Sequence, residues 1–175
     1  MNDLSGIRTV EDFFAHALAL EREAATRYLQ FSEQMLAHDN REAAGLFETL
    51  AQLESGHHGR LQERCRECAP AALKPWECRW IDPESPESAP LDAMHYLMTP
   101  WHAVRIALVN ELRAQRFFEA VAASPDATPE VRSLAAEFAA DEHEHAGHLE
   151  RLLATLPSPV VHEWEVDRDP PVVVG

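Results

Sequence analysis

The chain is poor in several features, and each shortage excludes something. Cysteine is nearly missing: 3 of 175 residues, at Cys65, Cys68 and Cys78. So small and odd a number argues against a secreted, disulfide-built scaffold. Basic residues are scarce, 15 Lys and Arg against 30 Asp and Glu, for a formal net charge of −15. That deficit argues against nucleic acid or an anionic membrane as a partner and favours cations. No run approaches the roughly 20 apolar residues of a membrane span. The opening stretch MNDLSGIRTVEDFF has no basic segment followed by an apolar one, so no secretory leader is expected and the cytoplasm is the default. Glycine is rare, with 6 residues lying mostly outside the apolar runs. Ala, Leu, Glu and Arg dominate instead, and that composition favours helix.

Four segments carry apolar residues at spacings of three and four. They predict helices over about 10–36, 41–65, 100–123 and 129–155. Thr9 with Asp12 resembles a capping box, and Thr99-Pro100 and Thr128-Pro129 suit a cap followed by the first helical position. The first stripe holds Phe14, Ala17, Leu18, Ala24, Ala25, Tyr28 and Met35; the fourth holds Val131, Leu134, Ala135, Phe138, Leu149 and Leu152. Short links join helices one and two, and three and four, which predicts two antiparallel helical hairpins. A Pro-rich crossover, 66–98, separates them, and a loop this long usually has a role of its own. Residues 157–175 read as an extended C-terminal tail. The expectation is an all-α fold: a four-helix bundle over 1–156 with ferritin-like connectivity.

Each apolar stripe is interrupted, and each gap holds a carboxylate. Glu21 interrupts helix one and Glu111 helix three; Glu54 with His57 interrupts helix two, and Glu142 with His145 helix four. Residues at i and i+3 share a helical face, so each Glu-x-x-His pair points at one place in the core. The hairpins also repeat each other. A shift of 90 residues carries Glu21 onto Glu111, and a shift of 88 carries Glu54 and His57 onto Glu142 and His145. Buried ionised carboxylates are costly unless paired or metal-bound, and four of them would repel one another. No Lys or Arg occupies the neighbouring stripe positions. Two divalent metals would balance the four carboxylates, with two imidazoles completing the shell. Mixed oxygen and imidazole ligands suit iron or manganese, and zinc can also occupy such a set.

On the segments ALEREAATRY, LFETLAQLESGHHGRL, IALVNELRAQRFF and FAADEHEHAGHL, the sequence resembles the rubrerythrin branch of the ferritin-like di-iron carboxylate superfamily. The resemblance covers the four helices, not the crossover or tail. It implies two iron ions, with Glu54 and Glu142 bridging, Glu21 and Glu111 terminal, and His57 and His145 each on one metal. It also implies reaction with oxygen or peroxide, as a ferroxidase or peroxidase, and a homodimer as a plausible assembly. Metal storage without turnover, and a helical interaction protein that has lost its metals, are the alternatives. Rubrerythrins proper carry an extra carboxylate one turn from the third-helix Glu; the corresponding position here is Ala114. They also carry a four-cysteine rubredoxin module, which three cysteines cannot form, so electrons would come from an external donor.

Other residues have plainer readings. Tyr28 lies seven positions after Glu21, placed to donate a hydrogen bond to a ligating carboxylate or simply to fill the core. His58, His143, His148, Glu63, Glu137, Asp141 and Glu144 read as solvated face. Cys65, Cys68 and Cys78 read as free thiols rather than a redox pair or zinc site. Trp76 and Trp80 read as anchors of the crossover, against the bundle or a second subunit.

Overall fold

A computed structural model describes residue 4 and residues 6–89 and 97–159. Among them are four long helices and no strand: α1 Val10–Ala37, α2 Arg41–Arg64, α3 Pro100–Ala122 and α4 Pro129–Thr155. Each start follows from local chemistry. Thr9 and Asp12 close a reciprocal capping box, with Asp12 N–H on Thr9 Oγ1 at 3.2 Å and Thr9 N–H on Asp12 Oδ2 at 3.0 Å. Asn40 Oδ1 caps α2 by accepting from Ala43 N–H at 3.2 Å. Asp39, at φ 55°, makes the tight reversal between α1 and α2. Thr128 Oγ1 accepts from Val131 N–H at 3.3 Å ahead of Pro129. These satisfy amide groups that a helix start leaves without internal partners.

The hairpins α1–α2 and α3–α4 are the principal packing units, and they meet through α2 with α3 and α1 with α4. Their interior forms two apolar clusters. One gathers the start of α1, the end of α2, the end of α3 and the start of α4, around Phe13, Phe117, Phe118 and Phe138. The other gathers Tyr28, Phe31, Met35, Phe47, Ala103 and Ala107, with Leu149 of α4 packed against it. The N-terminal halves of α2 and α3 therefore lie at the same end. The two helices run parallel, and the crossover must travel the length of the bundle to join them.

The crossover is pinned along that path. Arg22 reaches the Leu73 carbonyl at 3.2 Å, Arg27 reaches Ser88 Oγ at 3.1 Å, and Arg113 and Arg116 of α3 both hold Asp82. Trp80 is buried edge-on against Phe117, with ring centroids 5.2 Å apart. Trp76 stays 76 % exposed, so one of the two expected anchors engages the bundle and the other does not. α1 buries more than its expected stripe, with Phe13 against Phe118 and Phe138 of the other hairpin. Phe13, His16 and Leu20 are also inside, and His16 meets Trp80 edge-on at 5.7 Å. Leu152 is the reverse case, 42 % exposed although it belongs to the expected α4 stripe. The tail expected at 157–175 lies outside the described residues from 160 onward.

Candidate metal centre

The two apolar clusters are separated by a polar layer, and that layer holds the six residues of the stripe gaps. Glu21, Glu54, Glu111 and Glu142 are all buried. Each sits between residues that belong to opposite clusters, as Glu21 does between Leu20 and Ala24. The layer divides into two groups, Glu21 with Glu54 and His57, and Glu111 with Glu142 and His145. Within each group one ligand atom per residue lies within 4.8 Å of the others. The halves mirror each other in detail. His57 Nδ1 is 3.2 Å from Glu54 Oε2 and 3.6 Å from Glu21 Oε2. His145 Nδ1 is 3.0 Å from Glu142 Oε2 and 3.4 Å from Glu111 Oε2. The rings of His57 and His145 stack at 4.6 Å between centroids, which brings the halves together.

Electrostatics in the metal-free layer are unfavourable for carboxylates. Burial, helped by the charges of Glu54 and Glu142, pushes the Glu21 carboxyl up to about 8 against the pull of His57. Burial likewise raises Glu111 to about 7, with repulsion from Glu142 opposing attraction to His145. Burial works against the His57 imidazolium, but Glu21 and Glu54 outweigh it and lift the ring to about 10. Glu111 and Glu142 lift His145 to about 10. Without metal, the two imidazolium groups act as counter-charges for the glutamates. Glu21 Oε2 still finds no hydrogen-bond partner. An orphaned buried oxygen among carboxylate and imidazole donors is what a metal ion would satisfy, so the donor set fits a pair of divalent cations.

Tyr28 is fully buried beside this layer. Burial, then the charges of Glu54, Glu111 and Glu87, holds its hydroxyl well above the usual range. The hydroxyl oxygen accepts from Asn110 Nδ2 at 2.9 Å. Asn110 and Glu87 were not singled out in the sequence, although Asn110 is a lone amide next to Glu111 on an otherwise apolar face. His143, His148, Glu137, Asp141 and Glu144 are exposed, and His58 and Glu63 lie outside both groups. The three cysteines are free thiols, and none joins a ligand group.

A cavity of about 320 Å³ opens onto the layer between α2 and α4, lined by Glu21, His57, Glu142, His145, Leu61 and Phe138 among others. Arg64 closes one side by a two-point ion pair with Glu137, at 2.6 and 2.8 Å. No helix among the described residues is long and apolar enough to cross a membrane.

The rubrerythrin family model matches residues 12–74, which contain Glu21, Glu54 and His57. The crystal structure of an uncharacterized conserved protein from Magnetospirillum magnetotacticum MS-1 is similar at 37 % identity and a TM-score of 0.63, over 88 % of this chain and 99 % of that one. No curated protein matches. With four helices, two carboxylate–histidine groups and these similarities, the chain belongs to the rubrerythrin family of ferritin-like proteins, without the cysteines of a rubredoxin module.

Proposed function

We propose that the protein is a di-iron carboxylate oxidoreductase that reacts with oxygen or peroxide. Glu21, Glu54 and His57 would hold one metal, and Glu111, Glu142 and His145 would hold the other. The observation that carries this reading is the paired, repeated arrangement of the two ligand groups, with their glutamates buried and their histidine rings 4.6 Å apart. Two irons bound there would supply two-electron exchange with a small oxidant. Manganese or zinc would fit the same donors, and zinc would bind without redox chemistry.

The protein's own part is to pre-place the donors and to exclude bulk. The two apolar clusters keep water from above and below the layer. The cavity between α2 and α4 has space for oxygen or peroxide and lies beside the histidine rings. The three cysteines fall short of an internal rubredoxin iron, so electrons arrive from an external donor.

Protein purified without chelators is expected to contain close to two transition-metal ions per chain by elemental analysis. Anaerobic loading with ferrous iron, followed by oxygen or hydrogen peroxide, is expected to give a new near-ultraviolet absorption. Less than about half an equivalent of metal sinks the metal-centre reading. Bound iron without a spectral response to either oxidant leaves a storage or structural metal protein instead.

A further inference from the structure

The crossover contains a buried stretch that a simple connector does not need. Residues 85–89, Ser-Pro-Glu-Ser-Ala, are buried throughout although they belong to a loop. Loops normally run over the surface, because buried backbone groups must find partners. Here several partners are provided. Asn110 Nδ2 donates to the Glu87 carbonyl at 3.0 Å. Ser88 N–H donates to the Ser85 carbonyl at 3.1 Å, and Arg27 Nε donates to Ser88 Oγ at 3.1 Å. The stretch is thus tied to α1 through Arg27 and to α3 through Asn110. No Cα of α1 comes within 8 Å of a Cα of α3, so the loop fills a seam that these helices leave between them.

The Glu87 carboxylate is left without such provision. The residue is 2 % exposed, and its Oε2 has no hydrogen-bond partner. An isolated buried carboxylate is among the most costly groups a fold can hold. The strongest influences on it after burial are the charges of Glu21, Glu54, Glu111 and Glu142, which together with burial raise its carboxyl well above the ordinary range. The loop therefore presents Glu87 to the metal layer from the α1–α3 side, across from the α2–α4 seam where the cavity opens. Its clamp, Asn110, is the chain neighbour of Glu111 and also bonds Tyr28. The helix position that could have offered a further carboxylate, Ala114, is fully buried against the phenylalanine cluster.

We propose that Glu87 is a fifth carboxylate of the metal centre, carried in by the crossover, and that it ligates a divalent transition-metal ion when the centre is loaded. The proposal rests on the di-metal reading above. In the metal-free fold Glu87 stands outside both three-residue groups. Ligation would satisfy the Glu87 oxygen that has no hydrogen-bond partner. The crossover then does more than connect the hairpins, because it completes the coordination shell.

The test compares the full-length chain with its Glu87→Gln variant, which keeps the shape and removes the charge. Calorimetric titration with Mn²⁺ is expected to show affinity at one site weakened at least about tenfold, the range for losing a group that supports a metal site. The visible absorption of the Co²⁺-loaded protein, which reports coordination number, is expected to change in position and intensity. Wild-type affinity with a wild-type cobalt spectrum overturns the proposal. Weakened affinity with an unchanged spectrum overturns it too, since Glu87 would then act only through its charge. A wild-type chain that takes up neither metal overturns the di-metal reading itself, and this proposal with it. Should the Gln variant lose its helical circular dichroism, Glu87→Asp, with the charge kept and the reach shortened, decides between the same outcomes.

Discussion

Glu21 and Glu111 are held where a carboxyl is hard to ionise, and His57 and His145 where an imidazole is hard to discharge. In the metal-free fold all four bind protons more tightly than in the unfolded chain. Glu21 is raised from 4.5 to about 8 and Glu111 from 4.5 to about 7, so their contribution declines as pH rises through those intervals. His57 and His145 are raised from 6.5 to about 10, so the stability they give is complete below about 6.5 and is lost as pH rises toward 10. Chelator-treated protein should therefore melt at progressively lower temperature from about pH 5 to about pH 9, and Glu21→Gln should flatten that slope. Metal affinity should move the other way, because binding displaces the same protons. Melts followed by circular dichroism and metal titrations across that range check both signs. The gathering of Glu21, Glu54 and His57 and of Glu111, Glu142 and His145 was legible in the sequence because each is a polar break in an apolar stripe, repeated at matching spacing in both hairpins. Glu87 was not legible. It lies in a Pro-rich loop without periodicity, where an acidic residue reads as solvated, and only the fold shows it to be buried.

At the scale of elements, the bundle depends on helix starts and on an aromatic knot. Asn40 caps α2 and also donates through Nδ2 to the Met98 carbonyl at 2.6 Å, tying the α1–α2 turn to the end of the crossover. Asn40→Ala removes both bonds and should cost about 1–2 kcal/mol, read from urea unfolding. The phenylalanine knot should matter more. Phe118 packs on Phe13, Phe117 and Phe138 with centroids 5.8, 5.3 and 5.3 Å away, and Phe118→Ala should cost about 3–5 kcal/mol by the same measurement. The helices were readable because caps and three-four periodicity are local signals, and their ends fall within about two residues of expectation. The partners of α1 were not readable. Phe13 meets Phe118 and Phe138 of the other hairpin, and His16 meets Trp80 of the crossover, long-range arrangements that no local spacing encodes. Leu152 differs in the opposite direction: it keeps the spacing of the stripe yet is exposed.

At the scale of the molecule, the carboxylate layer divides the core into two apolar clusters, and it does so in a chain that already carries a net charge of −15. Burying these glutamates costs free energy in the middle of all four helices, where apolar packing would otherwise be continuous. Metal ions at this layer would join α1 to α2 and α3 to α4 through the residues that hold them. Binding to the folded state alone adds stability in proportion to the logarithm of one plus the ratio of free metal to Kd, about 2.7 kcal/mol per site at a free metal concentration a hundred times Kd. For a chain of this length that corresponds to a rise in Tm of about 5–10 °C. Scanning calorimetry of chelator-stripped protein with and without Mn²⁺ should show that rise, reversed by added chelator. The same addition should slow amide hydrogen exchange most in the helical turns around Glu21, Glu54, Glu111 and Glu142, and least at the aromatic end near Phe13 and Phe118. A uniform slowing, or a shift in Tm of less than about 1 °C at saturating metal, would mean that the cation binds the acidic surface rather than the layer between the clusters.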